Sequence, residues 1–177
     1  MGFDMYSLRE IRAVNSALAV MVAAVILVTG CGKSADDLYT NGKRLLLDEK
    51  TFEKGIGMLE KFEKNNPDDP RTPEVILAVA AAFQGDGQPE KAEQSFLRLI
   101  EHYPQSAESC KALFLLGYMY YDMPDATEKA RAALEKFIAA YPDSELTVSA
   151  RILLENLGRP VDEWSIVRNL NDSTTSK

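Results

Sequence analysis

The chain has 177 residues and a formal charge of −7, with 27 acidic against 20 basic side chains. An acidic balance argues against binding nucleic acid or anionic headgroups through a general basic field. Two cysteines and one histidine leave little material for a metal centre.

The first element is a short apolar run. Ala17 to Val28 is uninterrupted, follows the modest basic region of Arg9 and Arg12, and gives way to Thr29-Gly30-Cys31. A span needs about 20 apolar residues, so the run is too short to cross a membrane as a helix. Basic start, apolar core and small-residue end follow the order of an export signal, although Asp4 and Glu10 weaken its charge. Leu27-Val28-Thr29-Gly30-Cys31 resembles the lipobox of bacterial lipoproteins. That resemblance implies cleavage between Gly30 and Cys31, a diacylglyceryl thioether on Cys31 and an acyl chain on its freed amine. The alternatives are an ordinary signal peptide with a coincidental cysteine, or an uncleaved anchor. Gly32 follows in place of the Asp that retains enteric lipoproteins at the inner membrane, which favours the periplasmic face of the outer membrane. Residues 1–30 are thus read as a cleaved signal peptide and 31–36 as a lipidated tether. What remains keeps 18 basic and 25 acidic residues, the size of one domain. With Cys31 acylated, Cys110 reads as a buried free thiol, with an intermolecular disulfide as the alternative.

Three later segments end alike, at Asn66-Pro67, Tyr103-Pro104 and Tyr141-Pro142, so their prolines lie 37 and 38 residues apart. Before each come two amphipathic helical patterns joined by a polar turn. The first unit carries Tyr39, Lys43 and Leu46, then Gly55, Leu59 and Phe62. The second predicts a helix near Pro73–Gln84 with Ile76, Val79, Ala80 and Phe83 on one face. Gly85-Asp86-Gly87-Gln88 breaks it, and Pro89 starts a helix bearing Ala92, Phe96, Leu99 and Ile100. The third has Leu113, Leu116, Gly117 and Tyr120, a turn at Asp122-Met123-Pro124-Asp125, then Ala130, Leu134 and Phe137. Each helix is apolar on one stripe only and must be covered by a neighbour. Ser144 to Leu157 predicts a further helix with Leu146, Val148, Ile152, Leu153 and Leu157 apolar, a candidate cap for the last unit. Residues 37–157 form the expected domain. The tail, 158–177, contains Trp164, Ile166 and Val167, which either fold back onto the cap or serve as a contact; Asn169 to Lys177 is polar and reads as disordered.

Leu113, Leu116-Gly117, Tyr120, Ala130, Leu134 and Pro142 resemble the tetratricopeptide repeat, as do Ile76, Val79-Ala80, Phe83, Ala92, Phe96 and Pro104. The period exceeds the 34 residues of that motif. The implied fold class is all-α: a tetratricopeptide solenoid of about three helix-turn-helix units plus a C-terminal capping helix. Its concave groove would be lined by the first helix of each unit. Matched to the motif, the groove residues are Thr40, Arg44 and Leu47; Leu77, Ala81 and Gln84; and Lys111, Phe114, Tyr118 and Tyr121. Phe114, Tyr118 and Tyr121 form an aromatic ridge suited to anchoring a partner, or else pack under the cap.

No catalytic constellation emerges, and no cofactor or metal is expected beyond the acyl chains on Cys31. His102 stands alone, without a His or Cys partner at ligand spacing. Gly55-Ile56-Gly57 and Gly85-Asp86-Gly87 lack the strand-to-helix context and the Lys of a phosphate loop. Lipobox, repeats and Tyr-Pro-x-Ser repeat ends together resemble bacterial tetratricopeptide lipoproteins of the BamD family, which help insert β-barrel proteins. Members of that family have about five repeats, and this chain has room for about three and a cap. The resemblance implies a lipid-anchored, non-enzymatic periplasmic adaptor that binds envelope proteins through its groove, β-barrel assembly components first among them. Scaffolding of peptidoglycan synthesis or envelope constriction (the Tol-Pal type) is the alternative, with an accessory role in secretion or pilus assembly as a third.

Overall fold

The computed structural model describes residues 34–159, of which 35–159 belong to one compact unit that begins at Ala35. Gly30, Cys31, Trp164, Ile166 and Val167 lie outside the described residues. Seven α-helices and no strand occur among those described: α1 Ala35–Leu45, α2 Phe52–Asn65, α3 Thr72–Gly85, α4 Pro89–His102, α5 Ala107–Tyr121, α6 Thr127–Ala140 and α7 Thr147–Glu155. A 3-10 turn, Glu49–Thr51, leads into α2, and the Asp48 side chain accepts from the Lys50 N–H at its start. None of these helices is long and apolar enough to cross a membrane.

The pairs α1–α2, α3–α4 and α5–α6 are the three helix-turn-helix units, and each packs on the next. The second helices repeat one design. Gly55, Ala92 and Ala130 bring them close to their partners, while Leu59, Phe96 and Leu134, then Phe62, Leu99 and Phe137, are wholly buried. Each such side chain contributes about 1.5–3 kcal/mol of transfer free energy. Leu113, Leu134, Phe137, Ala150 and Leu153 make a second cluster that joins α7 to the last pair.

The prolines explain where the second helices stop. A residue before Pro is pushed out of the α region by the proline ring, and Asn66, Tyr103 and Tyr141 share one conformation, with φ between −136° and −129° and ψ between 51° and 59°. Three residues later the chain donates back to that carbonyl, from Asp69, Ser106 and Ser144 at 3.0–3.1 Å. Six residues later a buried hydroxyl does the same: Thr72 to Asn66 O at 2.6 Å, Ser109 to Tyr103 O at 2.7 Å and Thr147 to Tyr141 O at 2.7 Å. These loops are therefore built turns, which accounts for a period longer than the 34-residue motif. The sequence reading missed the hydroxyls. Their signal was available, because positions 72, 109 and 147 keep the spacing of the prolines.

Two boundaries and one register differ from expectation. The last helix starts at Thr147 because Ser144, Glu145 and Leu146 are used in the stapled turn, and it ends at Glu155. Val148 points outward at 67% exposure. In α1 the buried stripe is Leu38 and Gly42, one residue earlier than Tyr39 and Lys43. Cys110 is a free thiol, half-buried, with its Sγ 3.8 Å from Ser144 Oγ.

Candidate protein-binding face

The first helices α1, α3, α5 and the capping α7 supply the face on which the groove was expected. Gly42, Ala80 and Gly117 are the buried small residues of α1, α3 and α5, spaced by 38 and 37. Counted from them, Leu77, Ala81 and Gln84 on α3 match Phe114, Tyr118 and Tyr121 on α5. The equivalents on α1 are Tyr39, Lys43 and Leu46. Thr40, Arg44 and Leu47 are therefore one residue out of register, a rotation of about 100° on a helix. Arg44 is exposed and its side chain donates to Asn41 Oδ1 within its own helix, at 3.5 Å, while Leu47 lies past the helix end at 88% exposure. The misreading came from Tyr39 and Leu46, apolar enough to pass for core positions.

The corrected first set builds an ionic cluster. Tyr39 Oη donates to Glu74 Oε2 at 2.8 Å, and Lys43 Nζ pairs with Glu74 Oε1. The hydrogen bond to Glu74, aided by Tyr39, raises the Lys43 pKa, and the same bond to Lys43 is the main cause that lowers Glu74. Arg71 Nη1 reaches Asp36 at 2.7 Å and Arg71 Nη2 reaches Asp69 at 2.7 Å. Its guanidinium hydrogen bonds hold the Asp69 carboxyl down to about 2. The Arg71 guanidinium also lies 5.1 Å from the Tyr39 ring centroid and 5.2 Å from that of Phe62, and Lys43 Nζ lies 4.9 Å from the Tyr39 ring. Such cation–π contacts contribute about 0.5–1 kcal/mol each at partly exposed sites.

The other end of the face is apolar. Phe114 packs edge-on against Phe137 with centroids 5.5 Å apart, and Tyr121 Oη donates to Asn156 O at 3.5 Å. Both are half-buried, whereas Tyr118 is 40% exposed. Phe114, Leu115 and Tyr118 of α5 face Ser149, Ile152 and Leu153 of α7 across an open groove of about 400 Å³. So the aromatic ridge is divided: two of its rings meet the cap region, and Tyr118 forms a wall of the groove. Lys111 stands exposed on the same helix; Leu77 and Gln84 are half-buried on α3, and Ala81 is exposed there. Ser149 and Ile152 of α7 were not foreseen, because their part depends on how the cap docks.

A larger cleft of about 590 Å³ lies between α2 and α4, lined by Glu60, Glu63, Lys64, Asp68, Arg98, His102 and Tyr103 among others. It is already internally paired: Arg98 Nε donates to Glu63 Oε1 at 2.8 Å and Tyr103 Oη to Pro67 O at 2.9 Å. No group of three or more potential ligands able to hold a metal occurs among the described residues.

The YfiO family model, described as an outer membrane lipoprotein, matches residues 32–159. The chain belongs to this family. It is also similar to the outer membrane protein assembly factor BamD of Caulobacter vibrioides, at 25% identity over 167 residues, covering 82% of this chain and 54% of that protein. The chain thus spans about half the length of that curated relative. The YfiO match includes every described helix, both ends of the candidate face among them.

Proposed function

We propose that this YfiO-family protein is a lipid-anchored adaptor at the periplasmic face of the outer membrane, working in the assembly of β-barrel outer-membrane proteins. The observation that carries the reading is the family match beginning at residue 32, directly after the lipobox cysteine. Cys31 carries the acyl chains, since two or more are needed for stable anchoring. α1 begins at Ala35, so the four residues from Cys31 reach at most about 14 Å. An array tethered that tightly works beside a membrane complex and not at a distance from it.

The partner face is the concave one, with Tyr39, Lys43, Leu46, Leu77, Ala81, Gln84, Lys111, Phe114, Tyr118 and Tyr121 on its wall. Its two ends differ in chemistry, ionic near α1 and aromatic near α7, which gives a bound segment a preferred direction. The role is adaptor and not catalyst, as the assembly-factor name of the relative suggests. Co-purification from solubilised membranes tests the proposal. β-Barrel assembly components should come down with the tagged protein and be lost with Tyr118→Ala. Recovery of peptidoglycan synthases, Tol-Pal proteins or secretin subunits in their place would refute the assembly role. Cys31→Ser should move a folded protein out of the membrane fraction, and an unchanged fraction would refute the anchor.

A further inference from the structure

The three second helices place cations at matched positions. Counted from Gly55, Ala92 and Ala130, Lys54 matches Lys91 and Lys129, and Lys61 matches Arg98 and Lys136. In the later units this side of the helix meets the unit before it. Arg98 pairs with Glu63 of α2 at 2.8 Å, Lys129 pairs with Glu93 of α4 at 3.1 Å, and Lys91 lines a cleft with Glu53 and Glu60 of α2. The paired carboxylates lie 35 and 36 residues before their cations.

Lys54 and Lys61 have no such supply. No carboxylate occurs in the sequence between Glu10 and Asp36, and the residues 35 and 36 positions earlier are Leu18, Ala19, Val25 and Ile26. Both lysines are exposed and form no ion pair among the described residues. The carboxylates of their own unit are used elsewhere: Asp36 by Arg71, Glu63 by Arg98 and Asp48 by the Lys50 N–H, while Glu53 and Glu60 line the clefts toward α4. A cationic stripe is left on α2, with Gly57 between the two lysines on the same helical face. That face is open, since a Cβ at Gly57 would meet nothing within 4 Å. At the α1–α2 corner stands Leu47, the most exposed of the described large apolar side chains at 88%, flanked in sequence by Arg44 and Lys50.

A bare cationic face with an apolar tip suits an anionic lipid surface. The overall charge of −7 gives no general attraction to one, so the contact is confined to this end of the array. Lipidation of Cys31, the reading on which this step rests, holds such a surface within about 14 Å of α1. We propose that α2 and the α1–α2 corner rest on anionic phospholipid headgroups, with Lys54 and Lys61 over the phosphates and Leu47 in the interface. The concave wall is left free for its partner.

The test uses the full-length lipidated protein in vesicles. Gly57→Cys, in a Cys110→Ser background, carries an environment-sensitive fluorophore between the two lysines; Val148→Cys carries it at the far end. With phosphatidylglycerol–phosphatidylcholine vesicles, the probe at position 57 should shift to the blue and be quenched by nitroxide-labelled lipid. With phosphatidylcholine alone it should stay in water, as should the probe at position 148 in both. Each cation near an anionic surface is worth roughly a fivefold change in the contact equilibrium. Lys54→Gln with Lys61→Gln should therefore lower the ratio of shielded to free probe roughly 20-fold, with helicity by circular dichroism unchanged. Leu47→Asp should lower it too, and Lys136→Gln, at the matching position of the third unit, should not. Raising the salt from ~0.1 to ~1 M, which shortens the screening length from ~10 to ~3 Å, should release the probe. Equal shielding on neutral and anionic vesicles would overturn the proposal, as would shielding that survives the double variant. So would a probe that is free on anionic vesicles and shielded only in native membranes, which would make an acidic protein the occupant. Flotation with neutral vesicles reads the anchor separately, and its absence would refute the Cys31 reading and the proposal with it.

Discussion

Gly55 and Gly57 are two residues apart on α2 and differ only in what surrounds them, so the pair of alanine variants isolates a packing effect. A Cβ at Gly57 would meet nothing within 4 Å, whereas one at Gly55 would lie 3.0 Å from Gly42 O, Leu45 C and Leu46 N. Those are backbone atoms of α1 and of the residue just after it, and cannot rotate away. α1 is further held because Thr51 Oγ1 donates to Leu45 O at 2.9 Å. Glycine in a helix interior is less favourable than alanine by roughly 0.5–1 kcal/mol, a gain common to both substitutions. Overpacking a tight contact costs about 1–3 kcal/mol, and only Gly55→Ala incurs it. Gly57→Ala should therefore stabilise by up to about 1 kcal/mol, and Gly55→Ala, with the gain set against the overpacking cost, should destabilise by up to about 2.5 kcal/mol. Urea unfolding followed by far-ultraviolet circular dichroism measures both, and at ~4 °C per kcal/mol the thermal midpoints should separate visibly. If Gly55→Ala stabilises as much as Gly57→Ala, then α1 and α2 do not touch as described.

Further outcomes follow from the same geometry. Phe114→Ala should cost about 2–4 kcal/mol by emptying the contact with Phe137, while Tyr118→Ala should cost under about 1 kcal/mol; equal losses in urea melts would contradict the division of the ridge. Thr147→Val keeps the shape but removes the donor to Tyr141 O, and should cost about 1–3 kcal/mol, read as a lower unfolding midpoint with an unchanged m-value. Asp69 and Glu74 both have lowered pKa values in the folded chain, so the stability they confer is complete above their unfolded values of ~4. It is lost as the pH falls from there toward about 2. Asp69→Asn should flatten that acid limb in urea midpoints measured against pH, and an unaltered limb would remove Arg71–Asp69 from the account.

How far the sequence disclosed this depended on whether a feature was local. The second helices were legible, since Gly55, Leu59 and Phe62 recur as Ala92, Phe96 and Leu99 and as Ala130, Leu134 and Phe137, each set on one helical stripe. α1 was misread by one residue because its own stripe is thin: Leu38 and Gly42 are its only buried residues, and the half-buried Tyr39 looks equally apolar in sequence. What decides the register is Leu59 of the neighbouring helix, against which a Cβ at Gly42 would come to 2.7 Å. That contact is non-local. The fate of the aromatic ridge was undecidable for the same reason, because α7 determines which of its rings are covered.

The stapled turns bear on how the face could work. Each unit is fastened to the next by its core and also by a carbonyl that accepts both a backbone N–H and a buried hydroxyl. Side-chain ties add to this at a separation of 35 or 36 residues, as in Asp36–Arg71, Tyr39–Glu74, Glu63–Arg98 and Glu93–Lys129. Exposed ion pairs contribute little individually, about 0–1 kcal/mol, but the turns restrict the same joints that a bending solenoid would have to flex. A face built this way loses little conformational entropy on binding, because its walls are already set. Affinity would then be set by what the partner presents to Tyr118 and to the Tyr39–Lys43–Glu74 cluster, and less by any rearrangement of the array.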